Sequence, residues 1–73
     1  MRSFFHYVKS WRGEEAKTDK GRLADWIFDD LDFPKHSTDY DEISYYLEWN
    51  TPFPNALQVF DDLWTDYIER EDG

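Results

Sequence analysis

The sequence predicts an all-α fold, a compact bundle of about four short helices. Apolar residues recur at spacings of three and four in four separate segments, which is the helical period. Between Phe33 and Asn50 the chain writes a turn, a helix cap, a helix and its stop, and no long loop separates the segments.

The first helix is expected from about Ser3 to Trp11, with Phe4, Tyr7, Val8 and Trp11 along one side and His6 and Lys9 facing away. A turn containing Gly13 follows. Thr18 is placed to cap the second helix, whose Leu23, Ala24, Ile27, Phe28 and Leu31 form an apolar arc. Gly21 weakens that helix by about 1 kcal/mol relative to Ala. Pro34 ends whatever precedes it.

The third helix is expected from about Asp39 to Trp49, with Thr38 as its cap and Asp39 as the rival cap. Asp39, Asp41 and Glu42 sit where a helix N-terminus favours negative charge. Tyr40, Ile43, Ser44 and Leu47 share one face, and Asn50 suits a left-handed residue at the end. The fourth helix is expected to begin with Thr51 as cap and Pro52 at its first position, where a missing N–H costs nothing. Its stripe, the longest in the chain, contains Phe53, Ala56, Leu57, Phe60, Leu63, Trp64, Tyr67 and Ile68. Gln58, Asp62, Thr65 and Glu69 fall opposite. Glu69 to Gly73 reads as frayed.

Three aromatics do not fit these core faces. At 100° per residue Tyr45 and Trp49 lie roughly opposite Tyr40, Ile43 and Leu47, and Trp26 lies at the edge of its own arc. Either a small bundle wraps the third helix on two sides, or Tyr45 and Trp49, with Trp26, form a partner surface rimmed by Asp41, Asp61 or Glu48. Tyr and Trp one helical turn apart have the composition of an interface hot spot.

The 73 residues make room for one domain, spanning 1–73. A chain this short buries only about 60 to 65% of its unfolded surface. Six Phe, five Tyr and four Trp offset that, since each aromatic buries roughly 150 to 250 Å². The absence of cysteine fits a reducing, cytoplasmic setting. There is neither a charged, apolar, cleavable leader nor an apolar run of about 18 residues, so secretion and membrane spanning are not expected.

The net charge of −9 is unevenly spread. Residues 1–22 hold six basic residues against three acidic ones, or +3, whereas residues 23–73 hold two against fourteen, or −12. The simplest account sets a basic N-terminal helix beside an acidic C-terminal one, with about 1 kcal/mol or less from each exposed pair. The alternative is a patch for an anionic partner, made of Arg2, Lys9, Arg12, Lys17, Lys20 and Arg22. The acidic remainder repels polyphosphate at long range.

Three segments together resemble the YozE-like family of small bacterial proteins: SFFHY from Ser3 to Tyr7, FPKHSTDYDEISYYLEWN from Phe33 to Asn50, and FDDLWTDY from Phe60 to Tyr67. The resemblance covers nearly the whole chain, with Gly13 to Lys20 its least distinctive part. It implies a helical fold similar to sterile alpha motif domains. The family has no established activity, so the resemblance contributes no catalytic residues.

Reaction chemistry is not visible in the residues themselves. The only histidines are His6 and His36, and the trio His36, Ser37 and Asp39 is too close in sequence to converge easily on a substrate. Ser37 is better explained by turn or cap chemistry. Two histidines without cysteine make structural zinc a poor fit, and Asp29, Asp30 and Asp32 lack the spacing of a calcium loop. Gly13, Gly21 and Gly73 are isolated, so no phosphate-cradling loop is present. No cofactor is expected.

The second and third helices superficially resemble a DNA-reading pair. The third opens with Asp39, Asp41 and Glu42 and has no Lys or Arg, which argues against base and phosphate contact. Imitation of DNA by the acidic segment has only that charge in its favour. The sequence therefore points to a non-catalytic module acting through a protein partner, with a nucleic-acid accessory role as the alternative.

Overall fold

Short polar side chains start each of the first three helices. The Ser3 hydroxyl accepts the His6 amide at 3.2 Å, Thr18 Oγ1 accepts the Gly21 amide at 3.0 Å, and the Asp39 carboxylate accepts the Asp41 amide at 3.0 Å. The computed structural model describes residues 2–11 and 18–72. Its helices are α1 (Phe4–Val8), continued by a 3₁₀ turn (Lys9–Trp11), α2 (Asp19–Asp29), α3 (Tyr40–Trp49) and α4 (Ala56–Asp72). Among the described residues there is no strand. The expected turn at Gly13 lies outside them.

The core is assembled from all four helices. Phe4, Tyr7 and Val8 meet Leu23, Ala24 and Ile27 of α2, Ile43 and Leu47 of α3, and Ala56, Val59, Phe60, Leu63 and Tyr67 of α4. Phe4 sits at its aromatic centre, edge-on to Phe60 and Tyr67 at ring separations of 5.3 and 5.4 Å. Trp64, half-buried, closes the cluster from the side, 4.9 Å from the Tyr67 ring.

The two ends of the chain are fastened to one another. The Tyr67 hydroxyl donates to the Arg2 carbonyl, and the Arg2 guanidinium lies 2.9 Å from Glu71. Lys20 makes a second link to α4, 3.0 Å from Asp66. The charge asymmetry of the sequence thus becomes the juxtaposition of a basic first third and an acidic last helix. The Arg2 hydrogen bonds hold the Glu71 carboxyl below its ordinary range.

Five boundaries differ from the sequence expectation, each for a local reason. Asp39, in extended conformation, caps α3 in place of Thr38, so the helix begins at Tyr40. The α2 helix stops at Asp29, which leaves Leu31 outside the core and 88% exposed. Asp30 is extended there, its carboxylate accepts the Asp32 amide, and Phe33 takes the core position instead at 3% exposure.

The fourth helix begins at Ala56, not near Pro52, because Pro54 disfavours helical backbone at Phe53. Thr51 instead serves the end of α3, its hydroxyl donating to the Leu47 carbonyl at 2.9 Å. Asn50 has φ −132°, so no left-handed residue closes α3; its side-chain amide donates to the Tyr46 carbonyl at 2.9 Å. The stretch expected to fray is helical through Asp72, where the Arg2 contact holds Glu71.

Candidate partner-binding face

α3 is buried along Ile43 and Leu47, and residues two positions away along a helix point to the other side. That puts Tyr45 and Trp49 in solvent, 64% and 73% exposed. They are not enclosed by the bundle. One helical turn apart, their rings form a T-shaped pair with centroids 6.2 Å apart.

Beside this pair lies an open depression of about 320 Å³, lined by Asp32, Pro34, Glu42, Tyr45, Tyr46, Trp49 and Asn50. The loop joining α2 to α3 supplies Asp32 and Pro34, and it is braced from within. The Phe33 amide donates to the Asp30 carbonyl at 3.4 Å and the Ser37 amide to the Pro34 carbonyl at 3.2 Å. Lys35 Nζ donates to the Leu31 carbonyl at 2.9 Å. The Ser37 carbonyl accepts the Phe4 amide at 3.2 Å, so α1 also anchors the loop.

Tyr46 forms part of the wall. Its hydroxyl donates to the Asp30 carboxylate and its ring meets Phe33 edge-on at 5.7 Å. Burial first, then the Asp30 hydrogen bond and the charges of Asp30 and Asp32, push its phenol up to about 12. Two acids and no base line the depression, so its electrostatic field is negative.

The residues singled out from the sequence separate here. Tyr45 and Trp49 stay together, while Trp26 is half-buried against the core and does not line the depression. The acidic rim is Asp32 and Glu42; Asp41, Glu48 and Asp61 are not among the lining residues, and Asp61 accepts the Tyr40 hydroxyl at 2.6 Å. Tyr46 escaped the helical-wheel reading because it lies between the two faces. Pro34 and Asp32 escaped it because only the folded loop brings them beside α3.

The anionic-partner patch is largely occupied by the protein itself. Arg2 pairs with Glu71, and Lys20 pairs with Asp66 while lying 5.5 Å over the Trp11 ring. Arg22 stacks 4.5 Å over Phe53, and Lys9 lies 5.9 Å over Phe5. Arg12 and Lys17 lie outside the described residues. Of the histidine trio, Ser37 spends its hydroxyl on the backbone of Asp39, accepting the amide at 3.1 Å, and His36 is exposed. Among the described residues no three His, Asp or Glu side chains are placed to hold a metal ion, and no helix is long and apolar enough to cross a membrane.

A sequence model of the family described as the YozE SAM-like fold matches residues 3–69. UPF0346 proteins of Staphylococcus aureus strains JH9, JH1 and Mu3 are each 48% identical to the chain over 67 residues, covering 92% of this chain and 89% of theirs. The four helices accordingly form a sterile-alpha-motif-like bundle, as the resemblance of the three segments implied.

Proposed function

The chain belongs to the family described as the YozE SAM-like fold, and from that premise we propose that it is a non-catalytic protein–protein interaction module. Its docking face is the side of α3 that carries Tyr45 and Trp49, and its setting is the cytoplasm, which the lack of cysteine fits. The exposure of these two rings carries the reading. In a domain with little apolar area to spare, two large aromatics stand in solvent beside a depression, although Tyr7 and Tyr67 fill the core and Trp11, Trp26 and Trp64 pack against it. Tyr and Trp are also the side chains that most often dominate interface energies.

Affinity capture with three baits tests this: wild type, Tyr45→Ser/Trp49→Ser, and Leu31→Ser as a control for loss of an exposed apolar group. A partner retained by wild type and Leu31→Ser but lost from the double variant supports the face. Equal capture by all three removes it. The nucleic-acid alternative draws on Arg2, Lys9, Arg12, Lys17, Lys20 and Arg22, and the internal engagement of its described members weighs against it.

A further inference from the structure

The depression beside Tyr45 and Trp49 is negative, and none of the described basic side chains lines it. Six Lys and Arg side chains fall among the described residues, and each is engaged elsewhere. Arg2 is held by Glu71, and Lys20 by Asp66 and Trp11. Arg22 lies over Phe53, Arg70 over Tyr7, and both Lys9 and Lys35 over Phe5. The protein thus repeatedly sets a basic side chain on an aromatic ring. Among the described residues, no cation lies over Tyr45 or Trp49, although both line the depression with the Asp32 and Glu42 carboxylates.

We propose that this depression receives an arginine side chain from a basic, extended segment of a partner protein, with the guanidinium against the Tyr45 and Trp49 rings and facing the Asp32 and Glu42 carboxylates. The proposal names the partner chemistry for the face described above and rests on that reading. A planar guanidinium suits this combination better than an ammonium, because it stacks on aromatic faces and is weakly hydrated while still bonding carboxylates. The volume, about 320 Å³, suits one or two side chains, so the partner enters as a segment and not as a packed domain face. Phosphate and nucleic acid are repelled by the same carboxylates. A second copy of the chain is a poor occupant, since its described basic side chains are already engaged at home.

The test is a nuclear magnetic resonance titration of ¹⁵N-labelled protein with a short Gly/Ser peptide carrying two arginines, alongside the same peptide with citrulline in place of arginine. Citrulline keeps the shape and removes the charge. The arginine peptide is expected to move the Trp49 indole N–H and the amides around Tyr45. Binding should weaken as salt is raised, and should be about tenfold weaker both for the citrulline peptide and for Asp32→Asn/Glu42→Gln. Thermal melts of each variant matching wild type exclude a folding effect.

Equal binding of the two peptides overturns the proposal, as do shifts confined to the backbone amides of α4. A dimer that depends on Tyr45 and Trp49, seen by sedimentation, assigns the depression to a second copy and also overturns it. The two levels remain separable. If a captured partner needs Tyr45 and Trp49 but is indifferent to Asp32→Asn/Glu42→Gln, the arginine assignment fails and the face survives; if it is indifferent to both rings, the face fails.

Discussion

The Tyr46 hydroxyl donates to the Asp30 carboxylate, sixteen positions earlier in the chain, and so ties the middle of α3 to the end of α2. The bond spans the loop that supplies Asp32 and Pro34 to the depression. Burial first, and then this bond, make the phenol resist ionisation, and its pKa rises from 10.0 to about 12.

The first expected outcome concerns alkaline stability. A pKa raised on folding contributes stability that is complete below pH 10, the unfolded value, and is lost as the pH rises towards about 12. Over that window the unfolded chain gives up a proton that the folded one keeps, so unfolding becomes progressively easier. Denaturant midpoints should fall between about pH 10 and about pH 12 in wild type, and fall less in Tyr46→Phe. Identical slopes for the two proteins would show that Tyr46 is not held by Asp30.

At the acid end the sign is reversed. The Arg2 hydrogen bonds lower the Glu71 pKa below its ordinary 4.5, so their contribution is complete above that value and is lost as the pH falls through the folded one. Glu71→Gln should therefore be less stable than wild type at neutral pH and should converge with it in acid. The melting temperatures of the two proteins across that range measure the convergence. A constant offset at every pH would mean that charge plays no part.

The cap of α3 separates two neighbouring residues. Asp39→Ala should lower stability by about 1 kcal/mol, because the Asp41 amide loses its acceptor, whereas Thr38→Ala should be close to neutral. Urea titrations of both variants decide the matter. The opposite order would move the helix start back by one residue.

The core and the face should respond in opposite ways. Phe4→Ala removes the ring on which Tyr7, Phe60, Trp64 and Tyr67 converge and should cost about 3 to 5 kcal/mol, a large share of the roughly 5 to 15 kcal/mol a domain has. Tyr45→Ser/Trp49→Ser should cost less than about 1 kcal/mol, since both rings already stand in solvent. Calorimetry of both variants gives the contrast. A double variant that unfolds would return the two rings to the core.

Periodicity made most of the core legible in the sequence. Phe4, Tyr7 and Val8, then Leu23, Ala24 and Ile27, and Ala56, Phe60, Leu63 and Tyr67 were readable as helical stripes, whereas the buried Val59 was not. The same wheel set Tyr45 and Trp49 opposite the buried face of α3. Whether a neighbour covered them was decided only by tertiary packing. The errors gathered at boundaries, where single residues compete: Pro54 against Pro52 for the start of α4, Asp39 against Thr38 for a cap. Leu31 and Phe33 exchanged roles because a helix that stops at Asp29 hands the core position to the loop. The depression was not legible, since it joins α3 to a loop whose path depends on Asp30 meeting Tyr46.

The link between Arg2 and Glu71 also determines how this domain can be joined to others. Chain that arrives at residue 2 and chain that leaves after residue 72 meet the bundle at one pole, on elements already fastened together. Such a unit behaves in a longer polypeptide as a side loop and not as a spacer. It can be spliced into another protein with little separation of the flanking segments, and whatever it is fused to at either end becomes a near neighbour.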